Sequence, residues 1–378
     1  MADPERTYNE ALAEARQRLV EGGLTAEVVQ RIREALAGSL VRLVDETEAG
    51  RLTEERLEAL RESLDTALQD YRDQAVVVLE QGRQNAMDLA VQGHTAGLTA
   101  VLEETGQAGS IAVAETFTDV PDRVLEVQAT RRAEGVVDEM ATLVNRSVQD
   151  AADEIDEELG RIIGQGVDNK TVAKDIARLL AGDDQEMLDT LDQMGVGTGV
   201  DIDPDADPEA LDEDALSRAK QLEYDGRRIA ISETNSHYHE ADVVAGVQSP
   251  VVDLLRWRTS QLHTAEKRYV PDVCDVMEEA DLYGYGEGLF HPAAAPTLMH
   301  PHCQCRYETV LKDPEDYGTG NRDLPESAEV SEEAMRDALS GIDGERSITD
   351  AYVSSQSDML QEHVDAAEEV APSLMDEG

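Results

Sequence analysis

The chain has 378 residues, with 82 acidic side chains against 32 basic ones and a formal net charge of −50. That length holds two domains or so with a real core. No apolar run approaches the ~20 residues that a membrane-spanning helix needs. The opening MADPERTYNE has neither a basic start nor an apolar run, so no secretion signal is expected. The expected setting is a cytoplasm, or a particle assembled there.

The bases are 27 Arg and 5 Lys, and no Lys precedes Lys170. At ~0.1 M salt such self-repulsion opposes compaction, whereas at ~1 M the Debye length falls to about 3 Å and the repulsion fades. The acids are spread along the chain rather than gathered in one block. They read as a solvated surface suited to a salt-filled cytoplasm, as in haloarchaea, in preference to an acidic tail protein or nucleic-acid mimic. Phosphate-driven DNA binding also weakens as salt rises. Arg227, Arg228, Arg256, Arg258, Lys267 and Arg268 form the basic patches, and are expected to pair with neighbouring acids. No DNA-contact residue is assigned.

The predicted fold is mainly α with a small α+β domain. Long N-terminal helices precede a compact Cys/His-containing domain and an acidic tail. Residues 1–181 read as helical. Asp3-Pro4 starts a first helix and Gly22-Gly23 ends it. Thr25 can cap a second, with Val28, Val29, Ile32, Leu36, Leu40 and Leu43 on one face. Thr53 can cap a third, whose stripe of Leu57, Leu60, Leu64, Leu68 and Tyr71 extends into the nineties across Gly93 and Gly97. A loop follows near 105–121. One long helix is then predicted from Asp122 to Ile163, with Gly164 and Gly166 breaking it. A short amphipathic helix over 170–180 turns Val172, Ile176, Leu179 and Leu180 inward.

Residues 182–216 read as an acidic linker. Asp201, Asp203, Asp205 and Asp207 alternate as in a calcium loop, but Ala206, Asp212 and Pro204 spoil the pattern, so a solvated linker is expected. The compact domain spans 217–312. A helix covers 217–246, and VVDLLRWRT (251–259) and RYETVL (306–311) read as strands around a loop-rich stretch over 260–305. The tail, 313–378, holds 19 acids and 3 Arg. It permits short helices from Ser331 to Leu339 and over 349–370, either as a solubilising tail or as a segment that orders on a partner.

All three cysteines lie in the compact domain. Cys274 is separated by a Gly-rich loop from His300-Pro301-His302-Cys303-Gln304-Cys305. A zinc ion takes four S or N ligands, and a loop poor in apolar residues gains from such a staple. Cys274, His300, Cys303 and Cys305 supply four; His302, His263 and His291 are substitutes for the fourth place. The alternative is three reduced, buried thiols without metal.

This stretch resembles the Mu-type phage head morphogenesis family, the minor head proteins of tailed viruses. The resemblance is carried by a helix with Ser232-Glu233-Thr234, by the strand LLRWRTS (254–260) with Trp257, by the loop PDVCDVMEEADLYG (271–284), and by the close HPHCQCR (300–306). It covers about a quarter of the chain, and the long preceding helices also resemble the family's N-terminal region. Met277 stands where the family has a second loop Cys, so a histidine must complete the metal set. The resemblance implies a virion head protein present in few copies, in contact with the portal protein, the major capsid protein or both. Viral DNA is a further potential partner. Its work would be head assembly, DNA packaging or ejection, without catalysis. Glu233, paired with an Arg, and Trp257, packed over the metal loop, are expected to hold the domain together. The alternatives are a zinc-dependent nuclease with His300 or His302 as base, and a helical scaffold whose cysteines are incidental.

Overall fold

The computed structural model describes residues 3–20, 23–109, 111–133, 140–162, 167–182, 184–194, 196, 219–260, 272–297, 303 and 305–319. It also describes 332–333, 335–336, 353–358, 360–362 and 364–365. Among these the chain runs α1 (Pro4–Val20), α2 (Leu24–Glu46), α3 (Glu54–Glu104), α4 (Val113–Thr116), α5 (Val120–Ala133), α6 (Met140–Ile162), α7 (Asn169–Ala181), α8 (Gln185–Gln193) and α9 (Leu222–Gln248). Strand β1 (Val252–Arg258), helix α10 (Val273–Glu279), and strands β2 (Leu289–Phe290) and β3 (Arg306–Leu311) follow. The long helices, the small sheet and the Cys-containing C-terminal region agree with the predicted class.

The chain divides into two compact units that interleave distant segments. One comprises Met1–Thr25, Gly82–Val137 and Ser232–Gly378; the other comprises Ala26–Gln81 and Asp138–Ile231. In the second unit, the predicted stripes are buried except at Val29, which is half-buried: Val28, Ile32, Leu36, Leu40 and Leu43 of α2; Leu57, Leu60, Leu64, Leu68 and Tyr71 of α3; Val172, Ile176, Leu179 and Leu180 of α7. Asp168 caps α7 by accepting from the N–H groups of Lys170 (3.0 Å) and Thr171 (3.2 Å). Its other oxygen accepts from Gly50 N–H at 2.6 Å, tying the turn before α3 to the start of α7. Thr53 caps α3 as predicted, accepting from Arg56 N–H at 3.4 Å.

Several expectations change. Thr25 lies inside the first turn of α2 and its hydroxyl has no hydrogen-bond partner among the described residues, so it is not a cap. The loop over 105–121 contains α4. The single helix predicted from Asp122 to Ile163 is described as α5 and α6, and 134–139 lie outside the described residues. The stretch expected as an acidic linker begins with α8. Asp184 caps it at Met187 N–H (3.0 Å), and Met187 and Leu191 are buried. Arg33 from α2 binds Asp184 (2.5 Å), Glu186 (2.6 Å) and Glu223 (2.9 Å), a cation that offsets the local acids. Gly22, Gly164, Gly166 and the alternating aspartates at 201–207 lie outside the described residues.

The first unit carries the sheet, ordered β2-β1-β3 and antiparallel throughout. Leu255 faces both Phe290 and Thr309, and Trp257 faces Tyr307. These side chains are buried on one side. On the other, Arg258 pairs with Glu308 (3.2 Å) and Glu278 (3.3 Å). Because β3 is an edge strand, its outer backbone groups need partners, and α1 supplies them. Asn9 Nδ2 donates to the Thr309 carbonyl and Thr309 N–H donates to Asn9 Oδ1, both at 2.8 Å. Arg16 donates to the Cys305 carbonyl at 2.8 Å, and Glu5 accepts from Leu311 N–H at 3.4 Å.

Gly93 and Gly97 do not end α3; they let α1 approach it. A Cβ on Gly97 would stand 3.0 Å from the Tyr8 ring, and one on Gly93 would stand 2.9 Å from Ala15 Cβ. The described parts of the tail beyond Thr319 are helical, and Met335, Val353, Leu360 and Val364 are buried in this unit's core. Those parts therefore do more than solubilise.

Candidate metal centre

Two elements bring the cysteines together. Cys274 sits in the first turn of α10, a helix absent from the sequence reading, which took this stretch as loop. Asp272 caps α10 by accepting from Cys274 N–H at 2.8 Å, and Asp275 accepts from Asp272 N–H at 2.8 Å, closing a reciprocal capping box. Cys303 and Cys305 lead into β3. The alternation of a strand puts Cys305, Tyr307 and Thr309 on one face, and all are buried. The sulfurs of Cys274, Cys303 and Cys305 lie within 4.8 Å of one another, with Cys274 and Cys303 at 3.6 Å. The three form a group that can hold a metal ion.

The surroundings of the three sulfurs favour their neutral thiol form. Burial, reinforced by the two neighbouring thiols, pushes the Cys274 thiol well above its usual range. At Cys303 the contact with Cys274 favours the ionised form, but the Cys305 thiol and burial prevail and push it upward. Protein alone therefore disfavours three adjacent thiolates here. A bound cation reverses the balance, since a coordinating thiol is deprotonated outright.

Trp257 is fully buried and shares one core with the three cysteines. Its ring meets Tyr307 edge-on at 5.0 Å and His239 at 6.1 Å. Glu233 lies in α9, its carboxylate 4.0 Å from His237 Nδ1, and Arg83 donates to His237 Nε2 at 2.7 Å. His291 is buried, but its Nδ1 accepts from Ala293 N–H at 3.1 Å, and it is not among the residues grouped with the sulfurs. His263, His300 and His302 lie outside the described residues, as do Lys267 and Arg268. Of the other basic candidates, Arg227 faces Asp184 (3.7 Å) and Arg228 faces Asp225 (3.6 Å), the acid pairing expected of them.

The sequence reading missed the polar turn of α9 beside the centre. Thr234, Asn235, Ser236, His237, His239, Glu240 and Asp242 are all buried. Asn235 donates to the Cys303 carbonyl at 2.9 Å. Asp242 and Tyr8 hold His94 between them at 2.9 and 2.8 Å; the carboxylate fixes the proton on Nε2, leaving Nδ1 to accept the tyrosine hydroxyl. Glu240 takes bonds from Gln128 and from Thr297. His239 is different. Neither ring nitrogen makes a hydrogen bond of normal geometry among the described residues, although the Cys305 backbone acts on the ring. Burial, with the charge of Arg16, lowers its pKa to about 4, against opposing contributions from Asp242 and from the Cys305 thiol and backbone. The signal was present in SETNSHYHEAD, a polar run inside a helix flanked by apolar turns. Compared with protein-family models, curated proteins and solved structures, the chain matches none.

Proposed function

We propose that the chain is a minor head protein of a tailed virus of a salt-adapted archaeal host. It is a non-enzymatic component that contacts the portal or capsid protein and acts in head assembly, DNA packaging or ejection. Its C-terminal part works as a metal-stapled module. A structural zinc is held by Cys274, Cys303 and Cys305 together with one histidine. Thiolate-rich sets favour zinc among the common divalent ions, and a closed four-ligand site contributes folding energy directly.

The observation that carries the reading is the meeting of motif residues far apart in sequence. Trp257, Cys274, Cys303 and Cys305 belong to one buried core. Each cysteine is no more than 1% exposed. Such closure suits a staple, whereas a nuclease needs an open coordination position.

Fractionation of purified particles tests the role. The chain is expected in mature, DNA-filled heads, in few copies, and to copurify with the portal protein. Its absence from mature heads, or metal-dependent nuclease activity of the purified chain in molar salt, would overturn it.

A further inference from the structure

We propose that His239 is the fourth ligand of the centre, so that the ion takes its nitrogen from α9. This rests on the metal reading above and goes beyond it, because the family-like closing motif points to His300 instead.

The first ground is an unmet chemical need. A neutral imidazole carries one N–H donor and one lone pair, and burial of both without partners is costly. His239 is 1% exposed, and neither ring nitrogen makes a hydrogen bond of normal geometry among the described residues, although the Cys305 backbone acts on the ring. Coordination uses the lone pair. The other described histidines are engaged: His94 by Tyr8 and Asp242, His237 by Arg83 and the Glu233 carbonyl, His291 by Ala293 N–H.

The second ground is direction. Asn235 and His239 are four residues apart on α9, hence on one helical face. Asn235 holds the Cys303 carbonyl at 2.9 Å. One turn further along α9, the His239 ring lies within reach of the Cys305 thiol and backbone, both of which act on its charge. The ring stands 6.5 Å from that of Tyr307, whose side chain shares its strand face with Cys305. The ring nitrogens lie outside the 4.8 Å group formed by the sulfurs. Binding therefore draws the imidazole inward by side-chain rotation, to a metal–nitrogen distance of about 2.0–2.1 Å.

Cobalt(II) titration of the full chain in molar KCl, read by ligand-field and thiolate charge-transfer absorption, tests the assignment. The wild type is expected to give a tetrahedral three-sulfur, one-nitrogen spectrum. His239→Ala should bind cobalt roughly 100-fold more weakly, having lost one ligand in four. His239→Cys should keep binding and raise the charge-transfer intensity by about one third, four thiolates replacing three. His300→Ala and His302→Ala should match the wild type. Loss of binding in either of those, with His239→Ala unchanged, would overturn the assignment. If His239→Ala does not fold, His239→Cys decides alone, and an unaltered charge-transfer band refutes the proposal. A wild-type chain that takes up no cobalt or zinc refutes the metal reading itself, a result distinct from failure of His239 alone.

Discussion

Asn9→Ala removes one side chain that stands in for a neighbouring strand. In the native chain its amide accepts from Thr309 N–H and donates to the Thr309 carbonyl, both at 2.8 Å, and also accepts from the Thr309 hydroxyl at 3.1 Å. Truncation leaves two backbone groups of the β3 edge without these partners. A lost hydrogen bond costs about 1 kcal/mol net, and a group left unpaired in a buried setting costs about 1–3 kcal/mol. The site is only part-buried, so water recovers some of the loss and about 2 kcal/mol is expected. For a unit of this size that is a fall in Tm of about 4–8 °C. Asn9→Asp keeps the acceptor but loses the donor, and should fall between the two. Thermal melts in molar KCl, where surface repulsion is screened, provide the assay. An Asn9→Ala melt within 1 °C of wild type would refute the claim that α1 substitutes for a strand.

The other predictions follow from packing and charge. Trp257→Ala empties a fully buried site among Tyr307, His239 and the cysteines, and should cost about 3–5 kcal/mol in chemical denaturation. Gly97→Ala should destabilise by about 1–3 kcal/mol because its Cβ meets the Tyr8 ring. Gly38→Ala in α2 meets nothing within 4 Å and should stabilise by about 0.5–1 kcal/mol; a melt showing the same sign for both would contradict the account of α1 docking. Lowering KCl from ~1 M to ~0.1 M lengthens the Debye screen from about 3 to about 10 Å. With a net charge of −50, circular dichroism should show a clear loss of Tm, and an unchanged Tm would argue against the salt-adapted reading.

The sequence made the helical stripes legible because burial on one face leaves a period in the residues themselves. Leu57 to Tyr71 and Val172 to Leu180 carry it clearly. RYETVL was legible as β3 because alternation and β-branching agree there. Helix α10 was not, since Gly and Pro around it masked a seven-residue element whose signal is the Asp272/Asp275 box. Strand β2 is two residues long and exists only because β1 pairs with it, a long-range fact invisible locally. Helix α8 was hidden in acidic composition, and its hold depends on Arg33 from about 150 residues earlier. At the candidate metal centre the three cysteines were legible from their placement. The burial of His239 beside them was not, because a histidine in a helix shows nothing of its surroundings until its neighbours are assembled around it.

The most direct test of the account is metal content. Full-length chain, dialysed extensively in molar KCl and assayed by elemental analysis, is expected to retain one zinc per chain. Cys303→Ser is expected to retain close to none and to melt at lower temperature. A wild-type value near zero, with the three thiols free to react with a thiol reagent on unfolding and the melt unaltered by added chelator, would contradict it.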